Sequence, residues 1–436
     1  MSSENLKYWE GTNFVTDPTW GDNGKGKVVD LMAQRAHLVV RTNGGSNAGH
    51  TVRNEYGEFK FHLMPSGIFN PSAICVISDT VVVNPTTLME EIVSLRKAGI
   101  EVTNKNLLLS KNAHLVMPWH IKRDNLRETS RGSEQIGTTG RGIGPTYADR
   151  TERVGLRLGD LLKDNFIEIF EKELVFQEKL IGIMGASDNA SYDKDKILEE
   201  LFRIRDTLAP MITTVLPVIW EHHASKKRIL GEAGQGVLLD LDRGGYPNVT
   251  SSHPGIAGFN LATGIPPKEV TRVIAVTKAY TTRVGAGPFP TELTDKFGDE
   301  IRVKGSEFGT TTGRPRRCGW LDIPALRHGL RVGGANSLAL TKIDIFDSFP
   351  QVNICVGYRV DGREYLLAPR VDNDFLRKVE PVYETLPGWN KVTKEVKSFR
   401  NLPEAAQNFI LRVQYLLKVP IELVSVGPDR ESSIYI

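Results

Sequence analysis

Short apolar, β-branched runs recur between longer helix-forming stretches, and this alternation constrains the fold more than any other feature of the chain. Leu38 to Val40, Ala73 to Ile77, Thr80 to Val83, Arg228 to Gly231 and Val273 to Val276 read as buried strands. Strands separated by helices pair in parallel, because a parallel connection needs a crossover of a dozen residues or more. The expectation is α/β, with a large mostly parallel central sheet flanked by helices. No stretch rich in Pro, Gly or Ser is long enough to act as a linker between domains, so residues 1–436 read as one unit.

The helices carry start and stop signals. Asn84 is a candidate N-cap for a helix opening at Pro85, continuing through Lys97 and closed by Gly99 in the left-handed conformation. Lys194 to Leu208 and Pro403 to Leu417 show the apolar spacing of amphipathic helices. The segment 161–227 is rich in charge and helix formers, and reads as a helical subdomain packed on the sheet.

Net formal charge is only +3, so no global excess would hold nucleic acid or a membrane surface, and any bound anion needs a local cluster. Cys75, Cys318 and Cys355 have neither disulfide-framework nor zinc spacing, and Cys318 reads as a buried, inert thiol. There is no run of about 18 apolar residues and no apolar targeting segment near the start, so the chain reads as soluble and cytoplasmic.

Glycine marks where chemistry is expected. Gly21-Asp22-Asn23-Gly24-Lys25-Gly26-Lys27 fits the loop whose amides and lysine cradle phosphates, but Val28 stands where the usual hydroxyl would bind Mg2+. Asp22 is a candidate replacement ligand, since that ion needs only one or two carboxylates besides phosphates and waters. Asn43 to Thr51 forms a second small-residue loop beyond Val40, where open α/β sheets bind ligands, and its His50 is a candidate proton donor. Gly137 to Gly142 and Gly309 to Arg317 share Thr-Thr-Gly-Arg, suited to phosphate or carboxylate. In Thr341-Lys342-Ile343-Asp344 a carboxylate after a strand can accept the N1 and 2-amino hydrogens of guanine. Gly234-Gln235-Gly236 and Tyr246 to Ser252 add an amide and hydroxyls for a base or ribose.

Taken in order, WGDNGKGKVVDL, GGSNAGHT, IGTTGRGIGPTY, LLDLDRGGYPNVTSS, KAYTTRVGAGPFPTEL, EFGTTTGRPRRCGWLD, LTKIDIFD and VGPDR resemble the adenylosuccinate synthetase family, from Trp20 to Arg430. The resemblance implies a P-loop-like GTP-binding fold with helical insertions, and a ligase joining L-aspartate to inosine monophosphate (IMP) with GTP as co-substrate. It implies Asp22 and His50 as catalytic base and acid, and one Mg2+ per subunit on Asp22 and the Gly49 carbonyl. Asn47, Thr139, Gln235 and Thr250 would bind IMP, together with Arg153 reaching the neighbouring active site of a homodimer. Gly21, Gly24, Lys25, Gly26, Lys27, Gly49, Thr51, Lys342, Asp344, Ser425 and Gly427 would hold GTP, and Thr310, Thr311, Thr312, Arg314 and Arg316 would hold aspartate.

The chain departs from the family pattern near the proposed base. Asp17-Pro18-Thr19 replaces Gly-Thr-Gln, Asn23 replaces Glu, and Glu232-Ala233-Gly234-Gln235-Gly236 and His253 alter two further motifs. Pro18 predicts an early end to the preceding strand. The changes leave open the same ligase chemistry on a 2-amino purine nucleotide, and the phosphate loop with Thr341-Lys342-Ile343-Asp344 leaves open a guanine-nucleotide-binding module without synthesis.

Overall fold

The computed structural model describes residues 9–185, 191–309 and 313–436. Its spine is a ten-stranded sheet built from β1 (Thr12–Thr16), β2 (Leu38–Arg41), β3 (Ile74–Ile77), β4 (Leu107–Ser110), β5 (Ile212–Thr213), β6 (Ile229–Glu232), β7 (Arg272–Lys278), β8 (Ser337–Thr341), β9 (Ile421–Ser425) and β10 (Ser433–Tyr435). The strand order is β10-β9-β8-β7-β1-β6-β2-β3-β4-β5. Every pairing is parallel except β9 with β10, where a short hairpin closes one edge. β1 lies at the centre, so the loop leaving its carboxyl end opens over the middle of the sheet, where such folds bind ligands.

The period-two alternation of the strands divides the core. Val15, Val39, Cys75 and Ile77 face the helices Lys25–Ala33 and Pro85–Lys97, through Val28, Met32, Leu88 and Ile92. Their neighbours Phe14, Leu38, Val40 and Val76 pack the other way, against Val215, Ile219 and Phe259. A further core joins β8 and β9 to the helices Ile323–Gly333 and Glu404–Leu417. Each fully buried Leu, Val or Phe contributes about 2 kcal/mol, so burial on both faces makes the parallel arrangement self-consistent.

The cap signals operate as written in the sequence. The Asn84 side chain accepts the Thr87 N–H at 3.0 Å, and Gly99 has φ 81° just past the helix Pro85–Lys97. Segment 161–227 contains the helices Phe166–Ile183, Lys194–Leu208 and Val215–Ala224, and also β5, which extends the sheet edge. The run Thr80 to Val83 differs from its expectation: only Val82–Val83 pairs, with His114–Leu115 outside the main sheet. The Thr80 hydroxyl donates to the Thr42 carbonyl at 2.6 Å, which turns the chain before a longer strand can form.

Candidate active site

β1 ends at Thr16, two residues before Pro18, as the proline requires. The following loop turns through Gly21 (φ 93°), Asp22 (φ 63°) and Gly24 (φ 90°) into the helix Lys25–Ala33, whose first-turn N–H groups open on a cleft. Asp17, fully buried, holds this turn from inside. It accepts the Thr19 N–H at 2.9 Å, the Thr19 hydroxyl at 3.1 Å and the Asn23 side-chain amide at 2.9 Å, with Lys25 Nζ 3.5 Å from its second oxygen. The two departures from the family pattern are therefore one unit: a carboxylate at 17 and a donor amide at 23. Lys25 Nζ also donates to the Gln235 carbonyl at 2.6 Å, tying the loop to its neighbour. The contact there is close enough that a Cβ on Gly236 would stand 2.1 Å from the Thr19 carbonyl oxygen.

His50, at the end of the second glycine loop, is buried against Glu232 at the carboxyl end of β6. Its Nδ1 makes a short hydrogen bond with Glu232 Oε1 and lies 3.1 Å from Arg41 Nη1. Glu232 also accepts the Ser66 N–H at 2.8 Å and the Ser66 hydroxyl at 2.7 Å. Burial, reinforced by the Arg41 charge, pulls His50 down to about 4, so the ring is neutral at pH 7. With Nδ1 engaged, Nε2 is the nitrogen left for a ligand.

Three of the residues expected to bind IMP form a neutral network. Gln235 Nε2 donates to Asn47 Oδ1 at 3.0 Å, and Asn47 Nδ2 reaches Thr250 Oγ1 at 3.5 Å. Asn43 ties the same loops together, accepting the Gly234 N–H at 2.9 Å and donating to Ser252 Oγ at 2.9 Å.

The opposite end of the cleft is ionic. Lys27 occupies the motif position from which a lysine would cradle phosphate, but the structure uses it differently. Its ammonium donates to Ser425 Oγ (2.7 Å), the Gly427 carbonyl (2.7 Å) and the Ser432 carbonyl (2.8 Å). All three donors are filled, so Lys27 is a strut holding the β9–β10 turn rather than a free phosphate ligand, and burial brings it down to about 7. Beside it, Asp344 follows β8 in a 3-10 turn, and its Oδ1 is buried without a hydrogen-bond partner. Burial raises the Asp344 carboxyl above the usual range. Lys342, in the left-handed region at φ 59°, donates to the Gly305 carbonyl and to Glu307 Oε1, both at 2.7 Å.

Arg316 joins the two ends, with Nε 3.2 Å from Asp22 Oδ2 and Nη1 2.8 Å from Glu307 Oε2. Thr310, Thr311 and Thr312 lie outside the described residues. One cleft of about 910 Å3 gathers every expected site residue among those described except Arg153 and Arg314. Arg153 is exposed at the C-cap of the helix Ile143–Glu152, away from the cleft lining, and Arg314 is exposed beside the loop. His253 pairs with Asp240 at 3.2 Å and approaches Asp242 at 3.8 Å. Cys318 is buried and its thiol is pushed up to about 11, an inert state.

Sequence reasoning did not find Asp17, Arg41, Glu232 or Glu307 as site residues. Their only local signal is a charged residue at the end of an apolar run or beside a glycine motif.

A parallel sheet carrying a phosphate loop, a buried His–Glu pair and a Lys-x-Asp turn at its carboxyl edge defines a purine-nucleotide-dependent enzyme of the α/β class. The family model for adenylosuccinate synthetase matches residues 14–434, and the chain belongs to that family of GTP-dependent ligases. The adenylosuccinate synthetase of Caldanaerobacter subterraneus subsp. tengcongensis is 46% identical over 421 residues, 96% of this chain and 98% of that one. The structure of fully ligated adenylosuccinate synthetase from Plasmodium falciparum superposes with TM-score 0.92 at 35% identity, covering 97% of this chain and 99% of the other. A cyanophage S-2L succinoaminodeoxyadenylate synthetase bound to dGMP and dATP shares the fold, with TM-score 0.62 at 17% identity over 98% of this chain and 95% of that one.

Proposed function

We propose that this chain joins L-aspartate to IMP, consuming GTP and releasing GDP and phosphate, and that the cleft residues divide the work as follows. Asp22 takes the proton from N1 of the hypoxanthine, and the 6-oxygen attacks the γ-phosphate to give a 6-phosphoryl intermediate. The amine of aspartate then attacks C6 and phosphate leaves. His50 starts neutral. An arriving phosphoryl group sets negative charge opposite the ring, raises its proton affinity and turns it into a donor that stabilises the transferring group. Glu232 holds the ring in place through Nδ1. Asn47, Gln235 and Thr250, with Thr139, hold IMP. Gly21, Gly24, Gly26, Gly49 and Thr51 line the GTP phosphate path with Lys25, and Thr310 to Thr312 with Arg314 and Arg316 take the aspartate carboxylates.

The observation that carries the choice of GTP is the buried, unpartnered Oδ1 of Asp344, an acceptor in the cleft wall for the N1 and 2-amino hydrogens of guanine. Asp22 and the Gly49 carbonyl both line the cleft, a hard-oxygen donor pair that fits Mg2+ when phosphates and waters complete its shell. Such an ion supplies charge neutralisation at the phosphate oxygens. Among the described residues, the grouping of three that geometry alone would offer a metal is Asp240, Asp242 and His253, and it includes neither of these. The exposed Arg153, outside its own cleft, supports a homodimer in which it reaches the partner's site. Three buried free cysteines support a cytoplasmic location, and no described helix is long and apolar enough to cross a membrane.

The test is phosphate release from GTP with IMP and aspartate omitted in turn, and mass analysis of the nucleotide product. Release that needs both, with adenylosuccinate formed, is the expected result. Turnover with a guanine monophosphate in place of IMP would move the assignment to a 2-amino purine acceptor.

A further inference from the structure

Three sequence motifs converge on one buried carboxylate that the reaction above does not use. KAYTTR supplies Lys278 and Tyr280, LTKID supplies Lys342, and EFG supplies Glu307 itself. Glu307 has no exposed surface. Its Oε1 accepts Lys278 Nζ at 2.9 Å, the Tyr280 hydroxyl at 2.5 Å and Lys342 Nζ at 2.7 Å, while Oε2 accepts Arg316 Nη1 at 2.8 Å. Burial alone would raise the Glu307 carboxyl, but Lys278, Lys342 and Arg316 together hold it well below the usual carboxylate range, so it stays ionised.

Its place in the fold gives this cluster a direction. Glu307 stands at the stalk of the loop 309–316: its carbonyl accepts the Arg316 N–H at 2.9 Å, and the Gly309 N–H reaches the Arg314 carbonyl at 2.8 Å. Lys342 stands two residues before Asp344, whose Oδ1 has no hydrogen-bond partner, in the same cleft wall. Moving either cation changes what the other feels through a single shared anion, itself buried away from solvent. Arg316 carries the same link on to Asp22.

We propose that Glu307 is a positioning residue that couples Lys342, at the guanine-nucleotide end of the cleft, to Arg316, proposed above to take an aspartate carboxylate, so that binding at one end improves binding at the other. This rests on the reaction assigned above. Coupling of this kind is reciprocal, since each ligand must shift the other's affinity by the same factor.

The measurement is the set of three Michaelis constants for the full reaction. Glu307→Gln keeps the shape but removes the anion, and should raise KM for both GTP and aspartate about tenfold while KM for IMP stays within about twofold. Because that variant leaves buried cations without a counter-charge, Lys342→Met provides an independent reading, its partly exposed side chain being removable without breaking the core. Although Lys342 belongs to the purine end, the substitution should raise KM for aspartate about fivefold, and by less than about twofold in the Glu307→Gln background. An aspartate KM unchanged in Lys342→Met overturns the proposal, as does an equal rise of all three constants in Glu307→Gln. A parent enzyme that forms no adenylosuccinate refutes the reaction assignment itself, whereas an active parent with an uncoupled pair of variants refutes only the role of Glu307.

Discussion

The two ends of the cleft are built on opposite electrostatic plans. At the end proposed to hold IMP, Asn47, Gln235 and Thr250 are neutral groups hydrogen-bonded to one another. At the end proposed to hold guanine, Lys342, Glu307 and Arg316 form an ionic cluster beside the buried Lys27, and Asp344 has an oxygen without a partner. A neutral network satisfied internally holds its shape before the ligand arrives, and exchanges one hydrogen bond for another when it binds. An ionic cluster with an open acceptor leaves a cost that the right ligand removes, so it discriminates more sharply. The open acceptor lies at the end proposed above to tell guanine from adenine.

That contrast can be broken at its junction or sharpened at either end. The largest effect belongs to Asp22, which lies between the two. Asp22→Asn should lower kcat about 10^3-fold while both nucleotides still bind, and full turnover in that variant would remove Asp22 as the base. Next, Asp344→Asn should weaken GTP by about 2–3 kcal/mol and inosine triphosphate by clearly less, read by competition binding. Equal losses for the two would mean that Asp344 does not read the 2-amino group.

A smaller effect separates the ends by pH. His50 is held near 4 in the fold and titrates near 6.5 when unfolded, so the unfolded chain binds more protons between those values. The stability this contributes is present above pH 6.5 and is lost as pH falls toward 4. His50→Asn should flatten the fall of Tm across that window, by roughly 2 kcal/mol in stability at its acid end. A melting profile as steep as the parent's would place the acid sensitivity elsewhere. Smallest is Asn47→Ala, which should raise KM for IMP by about 1 kcal/mol and leave KM for GTP unchanged. A parallel rise in both would join the two ends that the structure separates.

Much of the scaffold was legible because its causes are local. Pro85 after Asn84, Gly99 in the left-handed region and the period-two faces of β1 to β3 depend on residues a few positions apart. Glycine loops also announced the cleft. What stayed hidden were the buried carboxylates, because their meaning lies in partners that only folding brings near. Glu232 lies 182 positions from His50, and no spacing rule connects them. Lys27 was equally hidden in its other role: the motif marked it for phosphate, while its ammonium donates to acceptors about 400 positions away at the β9–β10 turn.

The Lys27 strut has a bearing on synthesis. The lysine enters the chain near its start, and its three acceptors arrive at Ser425, Gly427 and Ser432. Until residue 432 leaves the ribosome, the Lys27 ammonium lacks the last of its three acceptors. Domains generally fold as units, and this strut ties an early residue of the chain to a late one. The strands made earlier can pair and pack before that turn exists, but the Lys27 ammonium is satisfied only once it does.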